Sequence, residues 1–140
     1  MARKTRDTGL DAAERLRRAE LRPTRQRMEL VGLLFGAGHR HVTAEQLHGE
    51  AGRAAVRVSL ATVYNTLHLF TRVGLLRQVM VDSARNYFDT NTGEHQHFFV
   101  EDEARLIDIP NQTVAVAGVP APPKGTRVER IDVVVRVRRS

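Results

Sequence analysis

The chain has 140 residues, of which 41% are hydrophobic and 27% are charged, and its formal net charge is +6 at pH 7. No apolar run approaches the roughly 20 residues of a membrane-spanning helix, and the basic start MARKTR lacks the apolar stretch of a secretory signal. The absence of cysteine excludes disulfides and a structural zinc site built from four cysteines, and it is typical of a cytoplasmic protein.

The charge is unevenly distributed along the chain. Residues 1–27 contain nine Lys and Arg against four Asp and Glu, whereas residues 82–109 contain two Arg against seven acids. This asymmetry indicates that one end of the protein binds a polyanion such as DNA and that the other end binds cations. A solvated, soluble surface is the alternative explanation.

The first half of the chain predicts four helices, each of which begins at a residue whose side chain can cap it. Thr43 forms a capping box with Gln46, three residues further on. The predicted caps are Asp11, Thr24, Thr43 and Ser59. The second helix ends at the glycines that follow Phe35, and the fourth ends at Gly74. Apolar residues recur at helical spacing in the fourth helix, at Leu60, Val63, Leu67 and Phe70.

The hydrophobic period changes after Gly74. Residues 75–81 and 85–90 are strand-like runs joined by a turn at 82–84, which predicts a β-hairpin. Four helices followed by a hairpin predict a winged helix-turn-helix, in which the third and fourth helices form the DNA-reading pair. Residues 1–90 are therefore predicted to be a DNA-binding domain.

The second half of the chain is predicted to be rich in β-structure. Residues 97–100 and 105–109 read as strands around a turn at 101–104, and residues 128–139 alternate as a third strand. The residues expected on one face of that strand are Ile131, Val133, Val135 and Val137. Three strands make a small sheet, so residues 91–140 are expected to dimerise, and the fold class is α+β.

Two histidines and two carboxylates form a candidate metal site. His95 and His97 share one face of a strand, and a turn centred between residues 102 and 103 places Asp108 opposite His97. Asp89, shortly before His95, is a candidate fourth ligand. Nitrogen and oxygen donors without sulfur suit Fe(II), Mn(II), Zn(II) or Co(II). The alternative is that these histidines only pack or lie on the surface, as we expect for His48 and His68.

The start of the fourth helix has groups suited to DNA. The hydroxyls of Ser59 and Thr62 and the helix N-terminus favour phosphate oxygens. Tyr64 and Asn65 follow on the same helix. Tyr64 is expected to be exposed, although an aromatic side chain packed beneath the helix is the alternative.

The motifs LRPTRQR, HRHVTAEQLH, SLATVYNTL and YFD…EHQHFF…LIDIP occur in this order. Together they resemble the ferric uptake regulator (Fur) family over roughly residues 10–138, and the tail resembles its iron response regulator (Irr) branch. The resemblance implies a dimeric transcription factor, often a repressor, with an N-terminal winged helix and a C-terminal α/β dimerisation domain.

The resemblance also implies site residues. The matched positions of the family's regulatory metal site are His41, Asp89, His95, His97 and Asp108. On the DNA side, Tyr64 matches the residue that contacts base edges, and its ring suits thymine methyls. Arg22 matches a residue that enters a narrow, A·T-rich minor groove. Asn65 stands where some relatives have arginine.

The sequence departs from the family pattern in three places. The positions that match a structural zinc CxxC motif are Val100 and Glu103, so that site should be absent. Gln96 replaces an acid of a second metal site, which should also be absent. The Cys-Pro haem motif of some relatives of the iron response regulator branch is missing, and haem binding through His95 or His97 remains an alternative.

The sequence therefore predicts a metal-responsive regulator, iron- or haem-linked, that binds A·T-rich palindromic double-stranded DNA as a homodimer. An ion held by both halves would fix the separation of the two reading helices. One alternative is a constitutive DNA-binding protein with a structural metal site. Another is a metalloenzyme, although five protein ligands leave little room for a substrate.

Overall fold

The computed structural model describes residues 12–110 and 113–140. The chain divides into two compact units, Met1–Thr92 and Gly93–Ser140. The first unit combines helices with a three-stranded sheet, and the second has a three-stranded sheet and no α-helix among its described residues, so the fold class is α+β. Asp11, predicted to cap the first helix, lies outside the described residues. None of the described helices has the length and apolarity needed to cross a membrane.

The four predicted helices are present in the first unit. Residues 12–18 are helical (α1), and α2, α3 and α4 span Arg25–Phe35, Ala44–Arg53 and Leu60–Arg72. The three testable caps are confirmed. The side chains of Thr24 and Ser59 each accept a hydrogen bond from the backbone N–H three residues further on, and Thr43 and Gln46 form the reciprocal capping box. Local chemistry thus determines where these helices begin.

One apolar core joins the helices of the first unit. Val63, Leu67 and Phe70 of α4 are fully buried in it, as their spacing predicted. Leu60, the other apolar residue at this spacing, is 36% exposed. It is the first residue of α4, and the helix there has not yet reached the neighbours that cover the next turns.

Three strands complete the first unit. They are β1 (His41–Val42), β2 (Arg77–Asp82) and β3 (Arg85–Asp89), and their order in the sheet is β1-β3-β2. The β2–β3 hairpin, with a register shift between Met80 and Asp82, is the predicted wing. The hairpin follows the α3–α4 pair directly in the chain, so this unit is a winged helix.

The second unit has a sheet of order β5-β4-β6. Its strands are β4 (His97–Val100), β5 (Arg105–Asp108) and β6 (Val134–Val137), and β6 runs parallel to β4. The strand predicted over residues 128–139 is therefore shorter than expected, and Ile131 precedes it with 38% of its surface exposed. The physical reason is that β4 begins at His97, opposite Val134, so earlier residues have no strand to pair with.

Arg40 joins three elements of the first unit next to His41. Its backbone N–H donates to the hydroxyl of Thr90 at 2.8 Å, and the backbone N–H of Thr90 donates to the Arg40 carbonyl at 2.9 Å. Its guanidinium donates to Glu50 on α3 at 2.8 Å and to the carbonyl of Leu33 on α2 at 3.2 Å. The Arg40 guanidinium lowers the pKa of Glu50 below its usual value of 4.5.

We expect Glu50→Gln to lower the free energy of unfolding by about 1 kcal/mol at pH 7, because it removes a partly buried, bidentate ion pair. The folded-state pKa of Glu50 is depressed, so its contribution is complete above pH 4.5 and is lost as the pH falls through the lower value. Urea unfolding at several pH values measures this, and the two proteins should converge in acid.

Glu29→Gln is the matched control. Glu29 pairs with Arg25, four residues before it on α2, at 3.5 Å, and the Arg25 side chain is 91% exposed. Its replacement should change the unfolding free energy by less than about 0.5 kcal/mol. Equal effects for the two variants would contradict a special role for the Arg40–Glu50 pair.

Candidate metal centre and nucleic-acid interface

The second unit brings three of the predicted ligands together. His97 and Asp108 are direct partners in the antiparallel β4–β5 ladder, which is the register predicted from the 101–104 turn. His95, two residues before His97, lies beside them, with its ring centroid 4.5 Å from that of His97. The Nε2 atoms of His95 and His97 lie 3.7 and 3.3 Å from Asp108 Oδ1. Ligand atoms on one ion at about 2.1 Å are roughly 3–4 Å apart, so these donors fit a single ion.

The backbone orients one of these imidazoles. His95 Nδ1 lies 2.8 Å from the carbonyl oxygen of Gly93, to which it donates when this nitrogen carries the proton. That tautomer leaves a lone pair on Nε2, the nitrogen that lies 3.7 Å from Asp108 Oδ1. Hydrogen bonds of this kind from the distal ring nitrogen are typical of histidines that bind metals.

Burial distinguishes this cluster from ordinary surface histidines. His97 is 1% exposed and His95 is 8% exposed, whereas the Asp108 side chain is 47% exposed. The imidazoles are therefore held among neighbouring side chains, and the carboxylate side of the cluster remains open to solvent. An ion can enter from that side without unfolding the sheet.

Gln96, between the two histidines, makes hydrogen bonds that connect neighbouring segments of the second unit. Its side-chain carbonyl accepts a hydrogen bond from the Val133 N–H at 2.6 Å, and its amide donates to the Ile131 carbonyl at 3.4 Å. Its backbone carbonyl accepts from Ile109 at 2.8 Å. Gln96 thus joins the segment before β6 to the start of β4. The sequence had indicated only that Gln96 replaces an acid.

The first unit brings the other two predicted ligands together. His41 of β1 and Asp89 of β3 are direct partners in an antiparallel ladder, so their side chains share a face of the sheet. Asp89 is buried and His41 is half-buried, with its ring edge-on to Tyr87 at 6.1 Å. The Arg40–Thr90 hydrogen bonds fix the next step of the same ladder.

Arg77 is a buried charged residue that was not among the predicted site residues. It is 3% exposed and pairs directly with Asp89 from the opposite side of β3, so that Asp89 lies between His41 and Arg77 in the sheet. The signal was available, because a hairpin turn centred on Ser83 pairs residue 77 with residue 89. A buried guanidinium on this face supplies positive charge near a carboxylate that has been removed from water.

The two hydroxyls predicted to bind phosphate interact with each other. Ser59 Oγ accepts the Thr62 N–H at 3.0 Å and donates to Thr62 Oγ1 at 2.9 Å. The hydroxyl hydrogen of Ser59 is therefore used within the helix cap, whereas the hydroxyl hydrogen of Thr62 can point outward. Of the two hydroxyls, only that of Thr62 keeps a hydrogen that the cap does not use, and Ser59 orients it.

The remaining DNA-directed residues differ in exposure. Arg22 and Asn65 are exposed, as is Ala61, one turn before Asn65 on α4. Tyr64 is half-buried and packs against the core of the first unit, so it is less exposed than the sequence suggested. Its hydroxyl donates to Glu45 of α3 at 2.8 Å. The exposed surface of α4 is therefore narrow and runs along the Ala61–Asn65 side.

The first unit has a winged-helix fold, which is typical of DNA-binding transcription regulators, and the second unit adds a His/His/Asp donor set that could hold a metal ion. A profile of the ferric uptake regulator family matches residues 18–133. The chain belongs to the ferric uptake regulator family, whose members are transcription regulators and not enzymes.

Individual relatives agree with this assignment. The peroxide-responsive repressor PerR of Staphylococcus aureus (strain Mu50) is 30% identical over 93 residues, which are 66% of this chain and 62% of the relative. The PerR protein of Staphylococcus epidermidis (strain ATCC 12228) is also 30% identical over 93 residues, 61% of its length. The chain therefore matches less than two thirds of the length of these curated relatives.

Two solved structures have a similar fold. The ferric uptake regulator of Pseudomonas aeruginosa with manganese aligns with a TM-score of 0.69 and 25% identity, over 91% of this chain and 97% of that chain. The ferric uptake regulator of Vibrio cholerae aligns with a TM-score of 0.71 and 18% identity, over 90% and 98% of the two chains. At 18% identity the second likeness shows the fold alone.

We expect His97→Ala to weaken binding of Mn(II) or Zn(II) by at least about 100-fold, because it removes a buried nitrogen donor from the centre of the donor set. Isothermal titration calorimetry with each ion measures the effect, and circular dichroism checks the fold. His48→Ala is the matched control, since His48 lies on α3 of the other unit. Equal affinities for wild type and His97→Ala would eliminate this metal centre.

Proposed function

We propose that the protein is a metal-responsive transcription regulator that binds A·T-rich palindromic operator DNA as a homodimer. The observation that carries the proposal is the convergence of His95, His97 and Asp108 in a protein of this family. The three donor atoms lie within 4.8 Å of one another. Membership of the iron response regulator branch is a further proposal, supported by the EHQHFF and LIDIP motifs.

The ligand set we propose is His41, Asp89, His95, His97 and Asp108. The second-unit trio is supported by its distances and burial. Inclusion of the His41–Asp89 pair rests on the family resemblance and on the direct pairing of these two residues in the first unit. Nitrogen and oxygen donors suit Fe(II), Mn(II) and Zn(II) alike, so the cell's metal supply selects the occupant.

Metal acts here by favouring one conformation. Ligands that belong to two units can bind the same ion in only some conformations of the protein. Metal binding therefore shifts the population toward those conformations. In a dimer, the arrangement sets the separation of the two α4 helices, which must match successive major grooves. A coupling of about 1–3 kcal/mol changes DNA affinity roughly 5–150-fold.

The DNA surface we propose consists of the start of α4 together with Arg22, shortly before α2. Thr62 and the helix N-terminus bind phosphates, Tyr64 and Asn65 approach base edges, and Arg22 enters the minor groove. Support comes from the exposure of Arg22 and Asn65 and from the Thr62 hydroxyl, which accepts from Ser59 and keeps its own hydrogen. Ser59 contributes by capping α4 and orienting Thr62.

The homodimer is supported by one face of the second-unit sheet. Phe98 and Val100 of β4 share this face with Ile107, Val135 and Val137 of the flanking strands. Ile107 and Val135 are 36% and 37% exposed, so this face of the sheet presents aliphatic surface to water. Covering this face with a second copy would remove the apolar surface from water.

The direct test is fluorescence anisotropy of the full chain with an A·T-rich palindromic duplex and with a G·C-rich duplex of equal length. We expect Mn(II) or Zn(II) to change affinity for the first duplex by roughly 5–150-fold, and His97→Ala to remove that response. An unchanged affinity with every divalent metal tested would contradict metal sensing.

His97→Ala also separates this function from a constitutive DNA-binding protein with a structural metal site. A sensor should retain its fold and its metal-independent DNA affinity in this variant, whereas a structural site should unfold. Haem as the effector, rather than a free ion, would produce a Soret band on addition of haem, and His95→Ala or His97→Ala should reduce it.

A further inference from the structure

The side chain of Tyr64 is held from two directions. Its hydroxyl donates a hydrogen bond of 2.8 Å to Glu45 Oε2, a carboxylate at the second residue of α3. Its ring is stacked on His68, four residues later on α4, with centroids 6.4 Å apart and planes 16° from parallel. Contacts of residues four apart on a helix are directional, so His68 supports one face of the phenol ring.

His68 is itself fixed against the core. Its ring meets Phe88 edge-on, with centroids 5.4 Å apart and planes at 85°. Phe88 is fully buried in β3 and pairs with Val42 of β1. Contacts thus run from the buried core of the first unit through His68 to the Tyr64 ring, and Glu45 holds the hydroxyl end of the same side chain.

The hydrogen bond to Glu45 determines which groups of Tyr64 are available to contact a ligand. Its only O–H hydrogen is donated to Glu45, so the hydroxyl keeps acceptor capacity alone. The hydrogen bond to the Glu45 carboxylate, which holds the proton on the phenol, raises the pKa of Tyr64. The part of Tyr64 that is left for recognition is its apolar ring, which suits the 5-methyl group of thymine.

We propose that Glu45 and His68 are positioning residues that hold the Tyr64 ring in the orientation that reads thymine methyl groups. This inference rests on the proposed function, because it requires Tyr64 to approach DNA. Glu45 is exposed and has an acidic side chain that would otherwise repel phosphates, so a role in holding Tyr64 explains its place beside the reading helix. A ring fixed in advance loses less conformational freedom on binding, an advantage of roughly two- to tenfold in affinity.

The test compares two duplexes, the A·T-rich palindrome and the same palindrome with dU in place of dT, which lacks only the methyl groups. The measured quantity is the ratio of the two dissociation constants, by anisotropy with Mn(II) present. Wild type should favour dT. Glu45→Ala and His68→Ala should bring the ratio roughly two- to tenfold closer to one, and His48→Ala should leave it unchanged.

Two further variants separate positioning from other roles of Glu45. Glu45→Gln keeps an acceptor for the phenol and removes the charge, so it should retain the wild-type ratio while binding both duplexes more tightly. Tyr64→Phe keeps the ring and removes the hydroxyl that binds Glu45, so its dT/dU ratio should equal that of Glu45→Ala. The double variant should have the same ratio as either single variant. A wild-type ratio in Glu45→Ala would overturn the proposal.

A measurement without DNA distinguishes failure of this inference from failure of the proposed function. The chain has two tyrosines and no tryptophan, so Tyr87→Phe leaves Tyr64 as the fluorophore. Emission of Tyr64 should rise when Glu45→Ala removes the quenching carboxylate, and unchanged emission would show that Glu45 does not hold the phenol. Absence of duplex binding by wild type would instead refute the proposed function, and a dT/dU ratio of one with metal-dependent binding would refute only the inference.

Discussion

The candidate metal centre depends on the pairing register of antiparallel strands. Direct partners in such a ladder project to the same face, and a slip of one residue would send every side chain to the other face. The β4–β5 register joins His97 to Asp108, and the β1–β3 register joins His41 to Asp89. Both units therefore use the same device to bring a histidine to a carboxylate.

Neighbouring residues protect these registers. In the first unit, the Arg40–Thr90 hydrogen bonds lie one step beyond the His41–Asp89 pair, and the Arg40 guanidinium is fixed by Glu50. In the second unit, the side chain of Gln96 binds the segment before β6. Side chains between or next to the ligands thus maintain the strand positions.

The DNA-directed face is built with similar support. Ser59 both caps α4 and orients the hydroxyl of Thr62, and the contacts of Glu45 and His68 restrict Tyr64. In each case a neighbouring residue determines which chemical groups the candidate DNA-binding residue can present. The DNA-binding surface that we propose therefore depends on α3 as well as on α4.

Patterns that act over a few residues were readable from the sequence. The caps at Thr24, Thr43 and Ser59 and the two hairpin turns depend on contacts between near neighbours, and all are present. The His97–Asp108 pairing followed from the turn, because a tight turn fixes the register. Leu60 is exposed although it shares the helical spacing of Val63, Leu67 and Phe70, since spacing does not show where the covering neighbours end.

The sequence by itself determined the helix starts, the two hairpins and the convergence of His97 with Asp108, because each is fixed by local hydrogen bonding and strand parity. Tertiary structure alone decided the length of β6, the burial of the Arg77 side chain and the attachment of Tyr64 to Glu45. These features depend on how strands and helices that are separate in the chain pack together, which no local pattern encodes.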